Sequence, residues 1–335
     1  MKRVLLYIFL LLSVGAGSQV TAQGWQTEVE LPNVDNLPVM VRPTMNGEYI
    51  AVVRTNNPYL VYLDFYGNLI WTNPINYNGY FKPYDVVQAQ NGDFLVCGFT
   101  NNFPVVIRTD GNGNQIWTQT FTGLSWNHPQ SIRETANGDI VVVCSGGAPS
   151  IGMTLLKLAP GGSTLWSRSY FQGEYSVAST METTYDGGYI IVGKVDAGSE
   201  RKAFALKTNA NGDSLWTQLS PLGNLESASY ADVEQMPDSG FIMTGTVFHS
   251  NYGTFSPKDV LTARIDKNGN QVWADRHAPN SAYYGYGIAP TPDGGFLLLL
   301  RAINYGTQIR KYDANRVMEW DQGINMVTSE DILFV

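Results

Sequence analysis

Short apolar segments and polar turns alternate along the chain from about residue 39 onward, in a unit that recurs six times. The first segment of each unit has an apolar residue at its centre, and the equivalent positions are Val41, Val86, Ile132, Met181, Val233 and Ile288. A uniformly apolar column is expected where one face of a strand is buried. The pattern therefore predicts β-strands in every unit.

A tight turn follows each of these first strands. It reads Asn-Gly-Asp in copies such as Asn91–Asp93 and Asp-Gly-Gly in copies such as Asp186–Gly188, and an apolar segment such as Ile140–Val143 comes next. Asn-Gly and Asp-Gly tolerate the positive φ angles of two-residue hairpins. The first two strands of each unit, A and B, are therefore predicted to form a hairpin.

A second turn precedes a tryptophan near the end of each copy. Five copies have a glycine four residues before the tryptophan, and the sixth has Arg316 at that position. We expect the tryptophans to be structural; they are Trp71, Trp117, Trp166, Trp216, Trp273 and Trp320.

Aspartates lie three residues before the glycine in three of these turns, at Asp64, Asp110 and Asp266. A short carboxylate at this position closes a turn on backbone N–H groups. Calcium binding is the alternative for residues 110–114, but the later bidentate glutamate of a calcium loop is missing from the spacing. We therefore predict turn formation and no metal site.

Each copy contains four antiparallel strands, A to D, and such repeats are typical of β-propeller blades. The copies span about residues 39–75, 83–121, 128–170, 176–220, 229–278 and 284–324. We predict an all-β protein with a single β-propeller domain over residues 23–335. Seven blades are expected, the last closed by residues 24–32 and 323–335 so that no sheet edge stays open. Six blades are the alternative.

The N-terminus has the features of a secretory signal peptide. Lys2 and Arg3 precede an apolar run from Val4 to Val14, and the small residues ending at Ala22 supply a cleavage site. The run is too short to span a bilayer. Residues 1–22 are therefore predicted to be removed, and we expect an exported protein of the periplasm, cell surface or extracellular space without a transmembrane segment.

Composition narrows the class of partner. Removing Lys2 and Arg3 from the 21 basic residues leaves 19 against 29 acidic ones, a net charge near −10. This charge repels phosphate backbones, so nucleic acid is not an expected partner. Only two cysteines are present, Cys97 and Cys144, and we expect buried thiols, with a disulfide as the alternative.

The repeat resembles a known family. Asp186–Gly193 (DGGYIIVG) followed by Lys207–Trp216 (KTNANGDSLW) is similar to the repeats of exported β-propeller proteins of the Bacteroidota type, over essentially the whole mature chain. The resemblance implies a propeller whose relatives mostly lack known activities. The turn before tryptophan also resembles the tryptophan-docking motif of quinoprotein dehydrogenases, but their adjacent cysteine pair and calcium-site pattern are missing from the sequence, so no cofactor is expected.

Candidate ligand-binding residues cluster in the loops between strands B and C and in the connections between blades. These segments share one end of each predicted blade, which we call the loop end, and the A–B and C–D turns share the other, the turn end. Aromatic side chains with few charges suit sugars or protein surfaces. The candidates are Tyr80, Phe81, Trp126, His128, Tyr175, His277, Tyr283 and Tyr284. The alternative for each ring is that it fills a gap between blades.

The ionisable residues give only weak evidence for a metal-binding or catalytic site. The histidines, including His249, have no metal-ligand spacing. Glu182 and Glu234 occupy equivalent positions on innermost strands, in the same column as Arg42 and Arg133. We expect a structural ion-pair ring around a central channel, with a catalytic carboxylate pair as the alternative.

Three functional hypotheses follow. The first is a non-enzymatic binding or scaffold module that presents its loop end to a glycan or protein partner. The second is a glycan-cleaving hydrolase or lyase with a site at the channel mouth. The third is a structural fragment of a larger surface protein. No G-x-S-x-G, P-loop or HExxH segment occurs, which removes the commonest hydrolase and nucleotide-binding motifs.

Overall fold

The computed structural model describes residues 2–12, 21–31, 37–55, 57–124, 127–146, 152–197, 200–220, 226–249, 258–277, 283–302, 306–324 and 332–334. Every regular element in these ranges is a β-strand. Among them there is no helix with the length and hydrophobicity needed to cross a membrane.

The chain starts with β1 (Lys2–Leu12) and β2 (Thr21–Leu31), and six four-stranded sheets follow, which we call blades 1 to 6. Blade 1 contains β3 (Leu37–Pro43), β4 (Tyr49–Arg54), β5 (Tyr59–Leu63) and β6 (Leu69–Pro74). Blade 2 contains β7 (Lys82–Gln88), β8 (Phe94–Thr100), β9 (Phe103–Thr109) and β10 (Gln115–Thr120). Blade 3 contains β11 (Asn127–Glu134), β12 (Ile140–Gly146), β13 (Met153–Leu158) and β14 (Thr164–Tyr170).

The second half of the chain repeats this arrangement. Blade 4 contains β15 (Ser176–Thr183), β16 (Tyr189–Ala197), β17 (Glu200–Thr208) and β18 (Ser214–Leu219). Blade 5 contains β19 (Glu226–Gln235), β20 (Phe241–His249), β21 (Lys258–Ile265) and β22 (Gln271–His277). Blade 6 contains β23 (Tyr283–Pro290), β24 (Phe296–Ala302), β25 (Gly306–Tyr312) and β26 (Met318–Ile324). In each blade the strands pair in chain order, which confirms the predicted A-B-C-D unit and the all-β propeller class.

The described strands form six four-stranded blades, which matches the six-blade alternative and not the seven-blade arrangement. The two termini do share a sheet, but it has three strands in the order β2-β1-β27, where β27 is Ile332–Phe334. β1 pairs antiparallel with β2 and parallel with β27. The middle strand, β1, belongs to the segment predicted to be a signal peptide, and the C-terminal region supplies only the three-residue β27. Residues 325–331 of the predicted closing blade lie outside the described residues.

The blades fall into two compact units. The first unit contains Met1–Ala148, Met153–Ser169 and Thr328–Val335, and the second contains Pro149–Gly152 and Tyr170–Val327. Blades 1 to 3 therefore belong to the first unit, apart from the last residue of β14, and blades 4 to 6 belong to the second.

Neighbouring blades bury the apolar faces of their inner strands against each other. In the first unit, one core cluster joins residues of blades 1 and 2, such as Val52 and Val96, and another joins residues of blades 2 and 3. β12 is buried at every position, whereas most of β14 is exposed. An antiparallel strand buried on both faces needs a continuous apolar run, and Ile140–Val143 supplies one. Cys97 and Cys144 lie in the second cluster as buried free thiols.

Four of the repeat tryptophans, Trp71, Trp117, Trp216 and Trp273, contact the second turn of the following blade. A Cβ atom added to Gly113 would lie 3.0 Å from the Trp71 ring, and one added to Gly269 would lie 2.7 Å from the Trp216 ring. In blade 6 Arg316 replaces the glycine at φ 68° and places its guanidinium 5.1 Å from the Trp273 ring centroid. In blade 6 the turn therefore still contacts the preceding tryptophan, but through the Arg316 guanidinium where the other copies have a glycine.

An acidic residue of each A–B turn is bonded to a side chain on strand C. In blade 2, Asp93 at the third turn position contacts Arg108 at 2.7 Å. In blade 6 the acid is Asp293 at the first position, 2.7 Å from Lys311 Nζ. Burial opposes ionisation of Asp293, but the hydrogen bond from Lys311 holds its pKa down to about 2. The Asn-Gly-Asp and Asp-Gly-Gly turns therefore both place a carboxylate against a basic side chain on strand C.

Asp64, Asp110 and Asp266 serve the second turns as predicted. The Asp110 carboxylate accepts hydrogen bonds from the backbone N–H groups of Asn112 and Asn114, at 2.9 and 2.8 Å, and its other oxygen accepts from the Asn114 amide. Asp64 and Asp266 repeat the same three bonds. These bonds lower the pKa of the carboxyl group of Asp110.

Candidate functional site

Tyr84 lies at the centre of a basic, aromatic cluster at the loop end of the first unit. We call Arg54, Lys82, Tyr84, Phe99 and His128 the Tyr84 cluster. Tyr84 belongs to β7, at a β-bulge where residues 83 and 85 pair with consecutive residues of β8. Such bulges re-aim side chains and are frequent next to functional sites. Equivalent bulges interrupt the A–B pairing in all six blades, and blade 2 has Tyr84 at this position.

Two cations lie beside the Tyr84 ring. The Arg54 guanidinium carbon lies 5.6 Å from the ring centroid, and Lys82 Nζ lies 5.5 Å from it. Arg54 comes from the end of β4 in blade 1, whereas Lys82 begins β7 in blade 2. Contact between adjacent blades therefore brings together two charges that are distant in sequence.

His128 from blade 3 closes the other side of the cluster. Its Nδ1 lies 3.5 Å from the Tyr84 hydroxyl, and its ring stacks on Phe99 with centroids 3.9 Å apart. Both rings are half-buried. Burial, and then the nearby charge of Lys82, lower the pKa of His128, so its imidazole is neutral at neutral pH.

The cations of the Tyr84 cluster have no carboxylate partner among the described residues. Arg54 donates to the carbonyl oxygen of Pro83 at 3.3 Å, and its Nε is buried without a hydrogen-bond partner in the described structure. Burial, and then repulsion from Arg54, lower the pKa of Lys82. The pKa of Tyr84 is raised, mainly by burial. The cluster therefore holds two partly desolvated cations close together.

The nearest acidic residue in sequence is Asp85, and its carboxylate is already fully used. It is buried and contacts Arg133 at 2.9 Å and Arg42 at 3.3 Å. It also accepts hydrogen bonds from the hydroxyl of Ser131 and from the backbone N–H of Ile132, both at 3.1 Å. Burial favours the neutral acid, but these partners hold the pKa of Asp85 below its ordinary value.

The predicted ion-pair ring therefore takes another form in the first unit. Arg42 of blade 1 and Arg133 of blade 3 both form ion pairs, and the carboxylate that they share is Asp85 on β7 of blade 2. Glu182 and Glu234 are half-buried residues of β15 and β19 in the second unit.

Charge is distributed unevenly along the blades of the first unit. The loop-end segments 54–59, 73–84, 99–104, 118–130 and 144–153 contain no aspartate or glutamate, although they are rich in asparagine and glutamine. Apart from Asp85, the acids of blades 1 to 3 lie at or beside the A–B and C–D turns; they are Glu48, Asp64, Asp93, Asp110, Glu134 and Asp139. These five loop-end segments therefore carry no negative charge, whereas the acids concentrate at the turn end.

The sequence candidates of the first unit have different environments. Tyr80 is 59% exposed. Phe81 is 1% exposed and packs beside the Tyr77 ring in the core between blades 1 and 2, an environment that favours the gap-filling alternative. Its ring covers Gly98, where a Cβ atom would lie 2.3 Å from it. Trp126 lies outside the described residues.

The candidates of the second unit have their own partners. His277 Nε2 lies 2.7 Å from the Thr262 hydroxyl, and burial lowers the pKa of His277 to about 4. Tyr283 lies beside the guanidinium of Arg310 at 5.3 Å. The Tyr175 ring lies 5.9 Å from the Arg201 guanidinium, and the ring centroids of Tyr284 and Tyr286 are 6.0 Å apart.

Sequence reasoning selected only His128 from the Tyr84 cluster. The other four residues lie on strands or at strand ends, and three blades contribute to the cluster, so no local motif marks it. The run of loop segments without acidic residues was the available signal. In the described part of the chain, no group of three or more His, Cys, Asp or Glu side chains could hold a metal ion.

Comparisons with known proteins agree on the fold. No protein-family model matches the chain, and no curated protein matches its sequence. A protein from Lactobacillus plantarum is similar in structure with a TM-score of 0.60 at 11% identity, covering 99% of this chain and 97% of that one. An ulvan lyase, a polysaccharide lyase bound to -[GlcA(1-4)Rha3S]-, has a TM-score of 0.60 at 12% identity, with 86% of each chain covered. The Dos1 propeller has a TM-score of 0.56 at 12% identity, covering 87% of this chain and 73% of that one. At these identities the likeness extends to the fold alone.

Proposed function

We propose that this protein is an exported β-propeller that binds a glycan through the loop end of its first unit. The Tyr84 cluster carries the proposal, because it combines half-buried aromatic rings, hydrogen-bonding groups and cations among amide-rich loops. Aromatic rings supply apolar contact area at low entropic cost, and amides supply adaptable hydrogen bonds. The saccharide bound to the structurally similar ulvan lyase supports the choice of a glycan over a protein.

Export is part of this proposal and rests on the N-terminal sequence, as the relationship to Bacteroidota-type propellers rests on the repeat motif. Mass spectrometry of the purified protein from its native host tests export. A mature N-terminus at Gln23 in a non-cytoplasmic fraction is the expected result.

Removal of the Tyr84 ring tests glycan binding. On a polysaccharide array, Tyr84→Ala should lose at least about tenfold in affinity, as expected for an aromatic hot spot. Tyr66→Ala is the matched control, because Tyr66 is 75% exposed in the second turn of blade 1, at the turn end of the same unit. Equal binding by both variants, with unchanged melting temperatures, would refute the assignment of the site.

A second candidate function is glycan cleavage, favoured by the contact between the Tyr84 hydroxyl and His128. A neutral imidazole beside a phenol provides one group that accepts a proton and one that donates it, as general acid–base catalysis requires. Product analysis of each bound polysaccharide tests this function. Tyr84→Phe should keep binding and abolish cleavage. If this variant still cleaves, Tyr84 is not a catalytic residue. If the unaltered protein leaves every bound polysaccharide intact, the function is binding.

A further inference from the structure

We infer that the group bound at Arg54 and Lys82 is an anion, the carboxylate or sulfate ester of an acidic polysaccharide. This inference rests on the proposed glycan-binding function and names the chemical class of the glycan.

Four other basic side chains of the first unit each contact a carboxylate. Arg42 and Arg133 contact Asp85, Arg108 contacts Asp93, and Lys157 contacts Asp139 at 3.1 Å. Arg54 and Lys82 differ from these four because no described carboxylate contacts them. Carboxylate pairing is common in this unit, so two neighbouring, half-buried cations without a described carboxylate partner need a separate explanation.

Holding the like charges of Arg54 and Lys82 close together costs free energy. Arg54 and Lys82 flank the same ring, and both are half-buried, so water screens their repulsion less than at an open surface. An anion between them would reduce the repulsion. It would also supply a hydrogen-bond acceptor for the buried Nε–H of Arg54, which has no partner in the described structure.

The surroundings of the two cations indicate the kind of anion. The five loop-end segments 54–59, 73–84, 99–104, 118–130 and 144–153 carry no acidic residue to repel it, whereas the protein as a whole has a net charge of −8. A long polyphosphate backbone would extend beyond this site and be repelled by the acidic residues on the rest of the surface. Single charges spaced along a sugar chain need only a local basic site. The adjacent rings of Tyr84, Phe99 and His128 provide the surface on which a sugar ring packs.

Affinity measurements on three sets of polysaccharides test the inference with the full-length protein. The sets are uronate polymers without sulfate, sulfated polymers without uronate, and neutral polymers. We expect binding to at least one acidic set that weakens as salt is raised. Arg54→Gln and Lys82→Gln should each reduce that binding about tenfold, because a hydrogen bond to a charged group is lost.

Lys267→Gln is the matched control, because it removes one positive charge from an exposed turn of blade 5. It should leave the affinity unchanged. If Arg54→Gln lowers the melting temperature, Lys82→Gln alone decides, since the Lys82 side chain has no described hydrogen bond or ion pair.

The outcomes separate the inference from the proposed function. Preference for the uronate or the sulfated set identifies the anionic group. Equal binding of neutral and acidic polymers, unaffected by Lys82→Gln but lost in Tyr84→Ala, would overturn the anion and keep the glycan. Binding of no polysaccharide would overturn both.

Discussion

The packing of Trp216 against blade 5 should be disrupted when Gly269 is replaced by alanine. Gly269 has φ 85°, a conformation that L-residues adopt with difficulty. A Cβ atom there would lie 2.7 Å from Cδ2 and 2.9 Å from Cε3 of Trp216. The Trp216 indole also donates a hydrogen bond to the carbonyl oxygen of Lys267, at 3.1 Å, in the same turn. The added methyl group should therefore strain the backbone at residue 269 and also collide with the Trp216 ring.

The two contributions have separate magnitudes. Left-handed backbone at a non-glycine residue costs about 1–2 kcal/mol. Overpacking that forces a side chain to move costs about 1–3 kcal/mol. Gly269→Ala should therefore reduce the free energy of unfolding by about 2–5 kcal/mol.

Gly187→Ala is the matched control in the same unit. Gly187 has φ 78°, and nothing lies within 4 Å of its added Cβ atom. It should show the backbone contribution alone, about 1–2 kcal/mol. Urea unfolding followed by far-ultraviolet circular dichroism measures both variants, and equal m-values would show that the unfolded states are comparable. Equal destabilisation by the two alanines would refute the argument that the Trp216 ring requires a glycine at this turn.

Two further predictions concern buried ionisable groups. Asp85→Asn should lower the free energy of unfolding by about 3 kcal/mol, because it leaves two buried or half-buried arginines without their carboxylate; an unchanged urea midpoint would contradict this. The pKa of His277 falls from 6.5 to about 4 in the folded protein, so the unfolded state takes up its proton first as the pH decreases through this range. The protein should lose stability between these pH values, and His277→Asn should lose less over the same range; parallel pH profiles of stability would contradict the assignment.

The blade could be predicted from the sequence because its signals are local. Asn-Gly and Asp-Gly turns, the apolar column at Val41 and its equivalents, and the regular tryptophan each report on a few neighbouring residues. The number of blades depended instead on pairing between the two ends of the chain. The apolar termini resembled strands, but their similarity to A and B strands did not determine how many strands their sheet would contain.

The candidate site could be predicted only in part. The sequence placed the candidate residues at the loop end and included His128, but it included Phe81, which is 1% exposed, and did not include Tyr84. The bulge in β7 decides which of its side chains reach the loop-end cluster, and the sequence carries no clear mark of it.

The sequence by itself determined the strands, their order within a blade and the turns that join them, since hairpin chemistry acts over a few residues. Tertiary structure decided which charges are paired. The acid of the first turn reaches its base on strand C from either of two positions, as Asp93 and Asp293 show, and only strand pairing brings them together. The same holds for Arg54 and Lys82, whose adjacency comes from the packing of two blades. Charge pairing depends on distances of a few ångströms between residues far apart in the chain, and only the folded structure fixes those distances.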